Sequence, residues 1–377
     1  MAVFFRAIRG VRRAAWRAGL LANPTRRAAR AVERLLATRG RELFLASGVP
    51  GLAMLVRFAG GPEIRQCFGT AGTSGAMRTD TVCQALSLSK SATTLCALAL
   101  VERGVIALDE PVWRRIHSWR MPRERAPGFD VEQITLRRLL SHGAGFGSFE
   151  PGYCDGEPPP SALDLLRRDD VEEQTFRVVA PPGRTHRYAA GSYLLAELLM
   201  EDATGTPFPS LVRELVLQPL GMRSSDYTLT PTLASRLATR YDGENRALPP
   251  SPLKTVAASG MYTTAEDLAT LLAAFAPGRN GEPPGRGVIS PASCAEMLST
   301  QSVMPGESTC GFGLYLRRKR SDLRYSHAGR YGGWYSHAEG FLRRRVVLVV
   351  LSNGDRGIAC VDAIVRELRA TLYDLAL

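Results

Sequence analysis

Apolar strand signals lie at both ends of this 377-residue chain, and they constrain its fold more than any other feature. Near the start, residues 49–58 form an apolar run that opens with Pro50-Gly51, which is typical of a buried strand. Near the end, the run from Val346 to Leu351 contains only valine and leucine and predicts another strand. The arrangement favours an antiparallel sheet whose strands come from both ends of the chain.

Helical patterns and Pro/Gly turns dominate the middle of the chain. The clearest predicted helices cover residues 136–140, 162–166, 193–202, 209–217 and 265–275. Further strands are predicted at 64–68, 311–316, 323–326 and 335–341, with a last helix at 361–375. We therefore predict an α/β (α+β) protein, with an antiparallel sheet flanked by helices and an inserted, mostly helical domain. The sheet part would comprise residues 46–112 and 286–377, the insertion would comprise 113–285, and a cleft would lie between them.

The N-terminus carries most of the positive charge. Residues 1–41 hold eleven arginines and one glutamate, a net charge of +10, whereas the whole chain carries +12. Arginines recur every three or four residues, and apolar residues follow the same period on another face, as in an amphipathic basic helix. A second helix is predicted from about residue 26 to 45, after the break at Asn23-Pro24. Residues 1–45 are therefore expected to form a basic helical extension.

The segment Ser87-Leu88-Ser89-Lys90 places a hydroxyl and an amine three residues apart at the start of a helical pattern. Both side chains would share one face, and the helix N-terminus would stabilise an anion that forms at an acyl group on Ser87. Lys90 could take the Ser87 proton if burial keeps the amine neutral. The motif alone is more typical of an ordinary helix cap followed by a solvated lysine, and the rest of the chain favours the catalytic interpretation.

Several further motifs lie along the chain, and their order and spacing are informative together. They are Val49-Pro50-Gly51, Leu139-Leu140-Ser141-His142-Gly143-Ala144-Gly145, Pro219-Leu220-Gly221-Met222, Ala258-Ser259-Gly260-Met261-Tyr262, Ser326-His327-Ala328-Gly329 and Leu351-Ser352-Asn353. From about residue 48 onward, the chain resembles the serine β-lactamase-related family. That family includes class C β-lactamases, D-Ala-D-Ala carboxypeptidases, esterases of similar fold and penicillin-binding-protein-like acyltransferases. The resemblance implies the β-lactamase/transpeptidase-like fold.

The resemblance also implies roles for individual residues. Ser87 would be the nucleophile, with Lys90 and Tyr188 acting together on its proton. His327 would orient the substrate or hydrogen-bond to the leaving group, although a lone histidine at this position also suits a sheet edge. The N–H groups of Ser87 and Arg330 would form the oxyanion hole, and Gly329 would allow the close approach of the backbone.

Two other parts of these motifs favour less direct roles. His142 lies in a turn that defines the fold, so we interpret it as a structural residue. We expect Trp334 and Tyr335 to pack in the wall of the cleft. Alternatively, they line an acyl pocket.

One position departs from the family pattern. The family has Tyr-x-Asn where this chain has Tyr188-Ala189-Ala190, so the tyrosine is kept and the asparagine is lost. The asparagine amide in the family grips the amide of a peptide or β-lactam, and an alanine methyl cannot form that hydrogen bond. The loss of the amide favours an ester or thioester substrate.

These residues predict a serine hydrolase or acyltransferase of the esterase or transesterase type, without a cofactor or a metal. A β-lactamase or D-Ala-D-Ala peptidase is one alternative, and a catalytically silent binding or scaffold protein is another.

Arginine interrupts every apolar run of the N-terminus, so the sequence contains no recognisable signal peptide or membrane span. The seven cysteines include no closely spaced pair and fit reduced thiols. A cytoplasmic location follows as an expectation.

The basic N-terminus suggests a partner in addition to a small acyl donor. Phe4, Phe5, Ile8 and Trp16 would give an apolar face beside the arginines, which suits the surface of an anionic membrane. An acidic acyl carrier protein is a second candidate, and packing of the segment on the enzyme itself is a third. Nucleic acid is not expected, because the segment contains no recognisable reading motif.

Overall fold

The apolar runs from the two ends of the chain lie side by side in one antiparallel sheet of the computed structural model. The structure describes residues 24–121, 130–148, 152–154, 158–167, 177–183, 185–304, 306 and 308–374. Within them, Met54 of the first strand is paired with Val350 of the last. The predicted α/β fold, with a sheet built from both ends of the chain, is therefore confirmed. The basic helix predicted near the start of the chain lies outside the described residues.

Strands and helices are numbered here in chain order. The strands are β1 Gly51–Phe58, β2 Glu63–Gly72, β3 Gly75–Ala76, β4 Cys83–Gln84, β5 Arg240–Tyr241, β6 Ala247–Leu248, β7 Tyr262–Thr263, β8 Ser302–Val303, β9 Thr309–Cys310, β10 Tyr315–Lys319, β11 Asp322–Tyr331, β12 Trp334–Phe341 and β13 Val346–Ser352. The α-helices are α1 Pro24–Leu35, α2 Arg41–Ser47, α3 Ser89–Glu102, α4 Leu136–Leu140, α5 Ala162–Arg167, α6 Ala190–Thr204, α7 Phe208–Val212, α8 Gln218–Leu220, α9 Pro231–Ala234, α10 Val256–Ser259, α11 Ala265–Ala273, α12 Pro291–Met297 and α13 Gly357–Asp374.

The sheet has an open edge where β11 leaves its neighbour β10. Among the described residues its nine strands follow the order β3-β2-β1-β13-β12-β11-β10-β9-β8. The pairing of β10 with β11 ends at Tyr315 and Ser326, whereas β12 continues beside β11 as far as Tyr331. Residues 327–331 therefore have a strand neighbour on one side only, and an extended ligand can reach the other side.

Helices cover both faces of the sheet, which explains why β13 reads as a continuous apolar run. Val346, Leu348 and Val350 belong to the core beneath α1 and α13. The alternate residues Val347, Val349 and Leu351 belong to a second core, which they share with helices of the segment from α3 to α12. This segment is called the helical half. A strand that is buried on both faces has no solvent side for polar residues, so its sequence does not alternate.

The helical segment before β1 shares the first of these cores. Ala28, Ala29 and Val32 of α1, with Leu36 after it, are buried among residues of β1 and α13. The arginines of α1, which are Arg26, Arg27, Arg30 and Arg34, are exposed. The division of the chain at residues 45 and 46 stays a prediction, but residues 28–36 pack as part of the sheet core.

One strand prediction was wrong in its bounds. The predicted strand at 311–316 is interrupted, because β9 ends at Cys310 and β10 begins at Tyr315. Gly313 between them has a φ of 68°, in the left-handed region, and this conformation turns the chain out of the strand.

Because Ala28, Ala29, Val32 and Leu36 lie in the core, we expect Leu36→Ala to lower the free energy of unfolding by about 3 kcal/mol. Leu36 is fully buried, so its loss leaves a cavity. Leu45→Ala is the matched control, because this leucine of α2 is 66% exposed and should change the free energy by less than about 0.5 kcal/mol. Urea unfolding of both variants measures the difference. Equal losses in the two variants would contradict the described packing.

Candidate active site

Ser87 lies in a short turn that leads into the most deeply buried helix of the helical half. The turn is a 3-10 segment, Leu86–Leu88, and α3 follows at once from Ser89. Residues 89–100 are all buried, so α3 has no solvent face. Leu86 has a φ of 53°, a conformation that costs a leucine about 1 kcal/mol and that is found most often at functional sites.

Ser87, Lys90 and Tyr188 meet at hydrogen-bond distances. Ser87 Oγ lies 2.6 Å from the Tyr188 hydroxyl, and Lys90 Nζ donates to Ser87 Oγ at 3.2 Å. Serine and lysine come from adjacent turns of one segment, whereas the tyrosine immediately precedes α6. The predicted grouping of these three side chains is therefore present in the structure, although their roles remain predictions.

Lys90 is held on several sides in a site that excludes water. The residue is 1% exposed, and its Nζ also donates to the carbonyl oxygen of Ala258 at 3.0 Å. The same ammonium lies 4.9 Å from the ring centroid of Tyr188 and 5.4 Å from that of Tyr193. Contacts of this kind offset part of the cost of burying a charge.

A buried carboxyl group supports the Ala258 carbonyl from behind. Glu197 of α6 accepts a hydrogen bond from the backbone N–H of Ala257 at 3.0 Å. Burial raises the pKa of Glu197 to about 8, so the group is mainly neutral at pH 7. Glu197 thus fixes α10, which supplies the carbonyl that binds Lys90.

His142 contacts the chain on both sides of Tyr188. Its carbonyl oxygen accepts from the N–H of Arg187 at 2.8 Å, and its Nδ1 accepts from the N–H of Ala189 at 3.3 Å. The imidazole ring lies 4.5 Å from the ring of Tyr188, and the φ of His142 is 56°. Burial, with the charge of Lys90, lowers the pKa of His142 well below its usual range, so the ring is neutral and Nδ1 can accept. The turn residue therefore positions the tyrosine.

His327 lies beside this group as a neutral side chain. Its Nδ1 lies 2.7 Å from the carbonyl oxygen of Ala328, which makes Nδ1 the protonated nitrogen. Tyr315 stacks on the ring at 5.1 Å, and the Tyr188 ring lies 6.1 Å away. Burial and the charge of Lys90 lower the pKa of His327 to about 3. At neutral pH His327 therefore carries no charge, and its Nε2 can accept a hydrogen bond from a ligand.

Gly329 lets β11 approach the nucleophile turn closely. A Cβ at this position would lie 2.5 Å from Leu86 Cβ and 2.8 Å from the carbonyl oxygen of Ala85. Ser336 of β12 donates to the same Ala85 oxygen at 2.8 Å and ties the sheet to the turn. These contacts bring the sheet edge at Arg330 to the wall of the cavity that contains Ser87.

The cleft has two compartments that meet at Ser87, Tyr188 and Arg330. The narrow one, of about 50 Å³, is lined by residues of the helical half, including Ala190, Thr255 and Ser259, and by Tyr331. The wide one, of about 320 Å³, is lined by Tyr315, Ser326, His327, Ala328 and His337. Thr255, Tyr315, Tyr331 and His337 were not predicted. They reach the cleft from segments far apart in the chain, and no local pattern distinguishes them.

Ala190 stands in the narrow compartment and offers no polar group there. Thr255 and Ser259 line the same compartment, and their hydroxyl oxygens lie 2.8 Å from each other. A ligand in this compartment would therefore meet hydroxyl groups and a methyl group but no asparagine amide.

Two searches of the described residues gave no result. No group of three or more His, Cys, Asp or Glu side chains among them is arranged to hold a metal ion. Of the helices found there, none combines the length and the apolar character that crossing a bilayer would need.

Comparisons with known proteins point in one direction. The family model described as Beta-lactamase matches residues 28–371. The chain is 25% identical over 228 residues to the D-alanyl-D-alanine-carboxypeptidase/endopeptidase AmpH of Escherichia coli (strain K12), an alignment that covers 60% of this chain and only 57% of AmpH. It is 32% identical over 166 residues to the esterase EstB of Burkholderia gladioli, covering 40% of each chain. The structure of a D-amino acid amidase from Ochrobactrum anthropi SV3, in complex with L-phenylalanine amide, superposes with a TM-score of 0.72 at 22% identity. It covers 92% of this chain and 99% of the amidase.

The close approach at Gly329 yields a test of the site. Gly329→Ala should slow the labelling of the protein by a fluorophosphonate about a hundredfold. A Cβ would push β11 away from Ser87 and separate the two N–H groups of the predicted oxyanion hole. Gly243→Ala is the matched control, since no atom lies within 4 Å of a Cβ built there. Intact-protein mass measures the rate of labelling. A folded Gly329→Ala protein that is labelled at the original rate would contradict this geometry.

Proposed function

Since this chain belongs to the β-lactamase family, we propose that it is a serine hydrolase or acyltransferase that forms an acyl-enzyme on Ser87 from an ester or thioester. One observation carries the proposal: Ser87 Oγ lies 2.6 Å from the Tyr188 hydroxyl, beside the buried ammonium of Lys90. A hydroxyl needs a base within hydrogen-bond distance to become a nucleophile, and this arrangement provides one.

The proposed reaction has two halves. Ser87 Oγ attacks the acyl carbonyl and its proton passes to the Tyr188 oxygen, whose ionised form is favoured by the nearby Lys90 charge. The leaving alcohol or thiol takes that proton as the bond to the acyl carbon breaks. Water, or an acceptor hydroxyl or amine, then attacks the acyl-enzyme and gives its proton to Tyr188. Tyr188 returns this proton to Ser87 Oγ as the bond between Oγ and the acyl carbon breaks, which restores both groups.

The charge that develops on the acyl oxygen needs hydrogen-bond donors. We assign this role to the backbone N–H groups of Ser87 and Arg330, which line the same compartment. Gly329 serves the role indirectly, because only a glycine leaves room for the strand to approach. His327, neutral and at the wide compartment, is placed to hydrogen-bond with the leaving group or the acceptor.

The preference for an ester or thioester follows from Ala190. No asparagine amide is present to grip the amide of a peptide or a β-lactam side chain, and the narrow compartment of about 50 Å³ suits a short acyl group. The wide compartment would then receive the leaving group and the acceptor. A peptidase like AmpH and a β-lactamase are the competing functions that the experiment below separates.

A silent scaffold is disfavoured by the same buried group. Burying an ammonium beside a serine and a tyrosine costs stability, and a protein that does no chemistry gains nothing from that cost.

A cytoplasmic location stays a prediction.

We expect p-nitrophenyl acetate and short acyl thioesters to be turned over at least about a hundredfold faster than a cephalosporin. Ala190→Asn should raise acylation by the cephalosporin, because it restores the missing amide, whereas Ala190→Val adds bulk without an amide and should not. Ser87→Ala should abolish both turnover and the mass of the acyl-enzyme. The proposal fails if the unmodified protein hydrolyses a cephalosporin as fast as its best ester, or if the acyl group is found on another serine.

We propose in addition that the basic N-terminal segment binds the surface of an anionic membrane. The exposed arginines of α1 continue the charge of residues 1–22. The helix α1 packs on the face of the sheet opposite the helical half that contains Ser87. A carrier protein docked on α1 would therefore lie across the sheet from the nucleophile, which favours the membrane over an acidic acyl carrier.

Deletion of residues 1–22 should leave the turnover of p-nitrophenyl acetate within about twofold, because it keeps the buried residues of α1. It should lower binding to phosphatidylglycerol vesicles at least about tenfold at low salt. The triple variant Arg27→Gln, Arg30→Gln, Arg34→Gln tests the contribution of α1 to the same binding. Unchanged vesicle binding in the truncated protein would refute the membrane partner.

A further inference from the structure

A second cavity, of about 270 Å³, lies apart from the catalytic cleft and shares no lining residue with either of its compartments. Its walls include the apolar side chains of Leu229, Leu237 and Leu248. Gln84, Arg240 and Trp334, which are buried, also line it. Apolar walls with a few polar groups are the usual composition of a site for a small molecule.

One buried donor among the residues that line this cavity has no acceptor in the described part of the chain. Trp334, the first residue of β12, is 2% exposed, and its indole Nε1 has no hydrogen-bond partner among the described residues. A buried N–H without an acceptor costs about 1 to 3 kcal/mol, so such groups in native proteins are usually paired with a water or a ligand. Because Trp334 also lines the cavity, a ligand there could supply the acceptor that its N–H lacks.

A buried positive charge lies at the same cavity. Arg240 is 7% exposed, and its guanidinium donates to the carbonyl oxygens of Gly332, at 2.7 Å, and Pro249, at 2.8 Å. It stacks on the ring of Tyr153 at 3.9 Å. The structure pairs Arg240 with no carboxylate among the residues that it describes. Carbonyl oxygens satisfy the donors of a guanidinium but do not neutralise its charge.

We propose that this cavity binds a small amphipathic carboxylate, with its carboxylate toward Arg240 and the indole N–H of Trp334 and its alkyl chain along Leu229, Leu237 and Leu248. A carboxylate supplies both the negative charge and the acceptor atoms that the cavity lacks. Ala234 and Pro250, which also line the cavity, are exposed, so the alkyl end can enter from solvent.

A wall of hydrogen-bonded side chains separates this site from the catalytic cleft. The Tyr153 hydroxyl donates to Gln84 Oε1 at 3.2 Å, and its ring packs at 5.1 Å on Tyr331, which lines the narrow compartment. Binding at the second cavity can therefore be measured in a protein that lacks the nucleophile, so the test does not depend on the proposed catalytic function.

Isothermal titration of octanoate into the Ser87→Ala protein tests the proposal. We expect saturable binding of one octanoate, with octanol binding at least about tenfold more weakly because it lacks the charge. Arg240→Gln should weaken octanoate binding at least about tenfold. Arg246→Gln is the matched control from the β5–β6 hairpin, because its side chain is 74% exposed and pairs with Asp242; its affinity should stay unchanged.

Two further variants keep the test decisive if Arg240→Gln does not fold. Trp334→Phe removes only the indole N–H and a small part of the ring, and it should weaken octanoate about fivefold. Ala234→Phe, at the exposed mouth, should block entry and abolish binding. The proposal is overturned if octanoate does not bind at millimolar concentration, or if it binds these two variants as tightly as the unmodified cavity.

Discussion

The burial of one ammonium group is the constraint on which the rest of this structure depends. A charge with 1% exposure is tolerated only where surrounding groups replace water, and Lys90 finds such groups on different segments. Ser87 comes from the turn before α3, the Ala258 carbonyl comes from α10, and Tyr188 precedes α6. The helical half must therefore assemble around Lys90. The positions of Ser87, Tyr188 and the Ala258 carbonyl follow from the need to surround this charge with polar groups.

Burial, together with the same charge, keeps two neighbouring histidines neutral. His142 and His327 are both buried near Lys90, and each has its pKa lowered by burial first and by the ammonium second. Both rings are therefore neutral at pH 7, which lets His142 accept a hydrogen bond from the chain beside Tyr188. One histidine thus positions the tyrosine from behind, and the other presents an uncharged surface to the wide compartment.

The sequence was informative where the signal is local. The unbroken apolar run of β13 predicts a strand, and Ser87-x-x-Lys90 predicts two groups on one side of a helix start. Ala190 was visible because the motif around Tyr188 defines its register. Other features depend on residues that meet only after folding, such as the cavity at Arg240 and Trp334 or the stacking of Tyr315 on His327.

The N-terminal segment shows why charge alone is a poor guide to burial. Its arginines suggested an extension of the enzyme, yet Ala28, Ala29 and Val32 on the opposite side of α1 are part of the sheet core. The amino-acid composition of the segment is dominated by arginine, so its few small apolar residues do not suggest burial. These small residues nevertheless allow the helix to lie close to the sheet. Whether such a face is covered depends on the sheet, which lies further along the chain.

The pairing of β1 with β13 has a consequence for the order in which the molecule forms. Leu52 is paired with Ser352, 300 residues later, and the strand with Gly329 and Arg330 reaches β1 only through β12 and β13. Contacts across such a span carry a large loop-closure entropy and form slowly. During synthesis, the helical half is complete before these strands have left the ribosome. Ser87 is therefore in place before Gly329 and Arg330, and the growing chain lacks the complete cleft until the last strand is inserted.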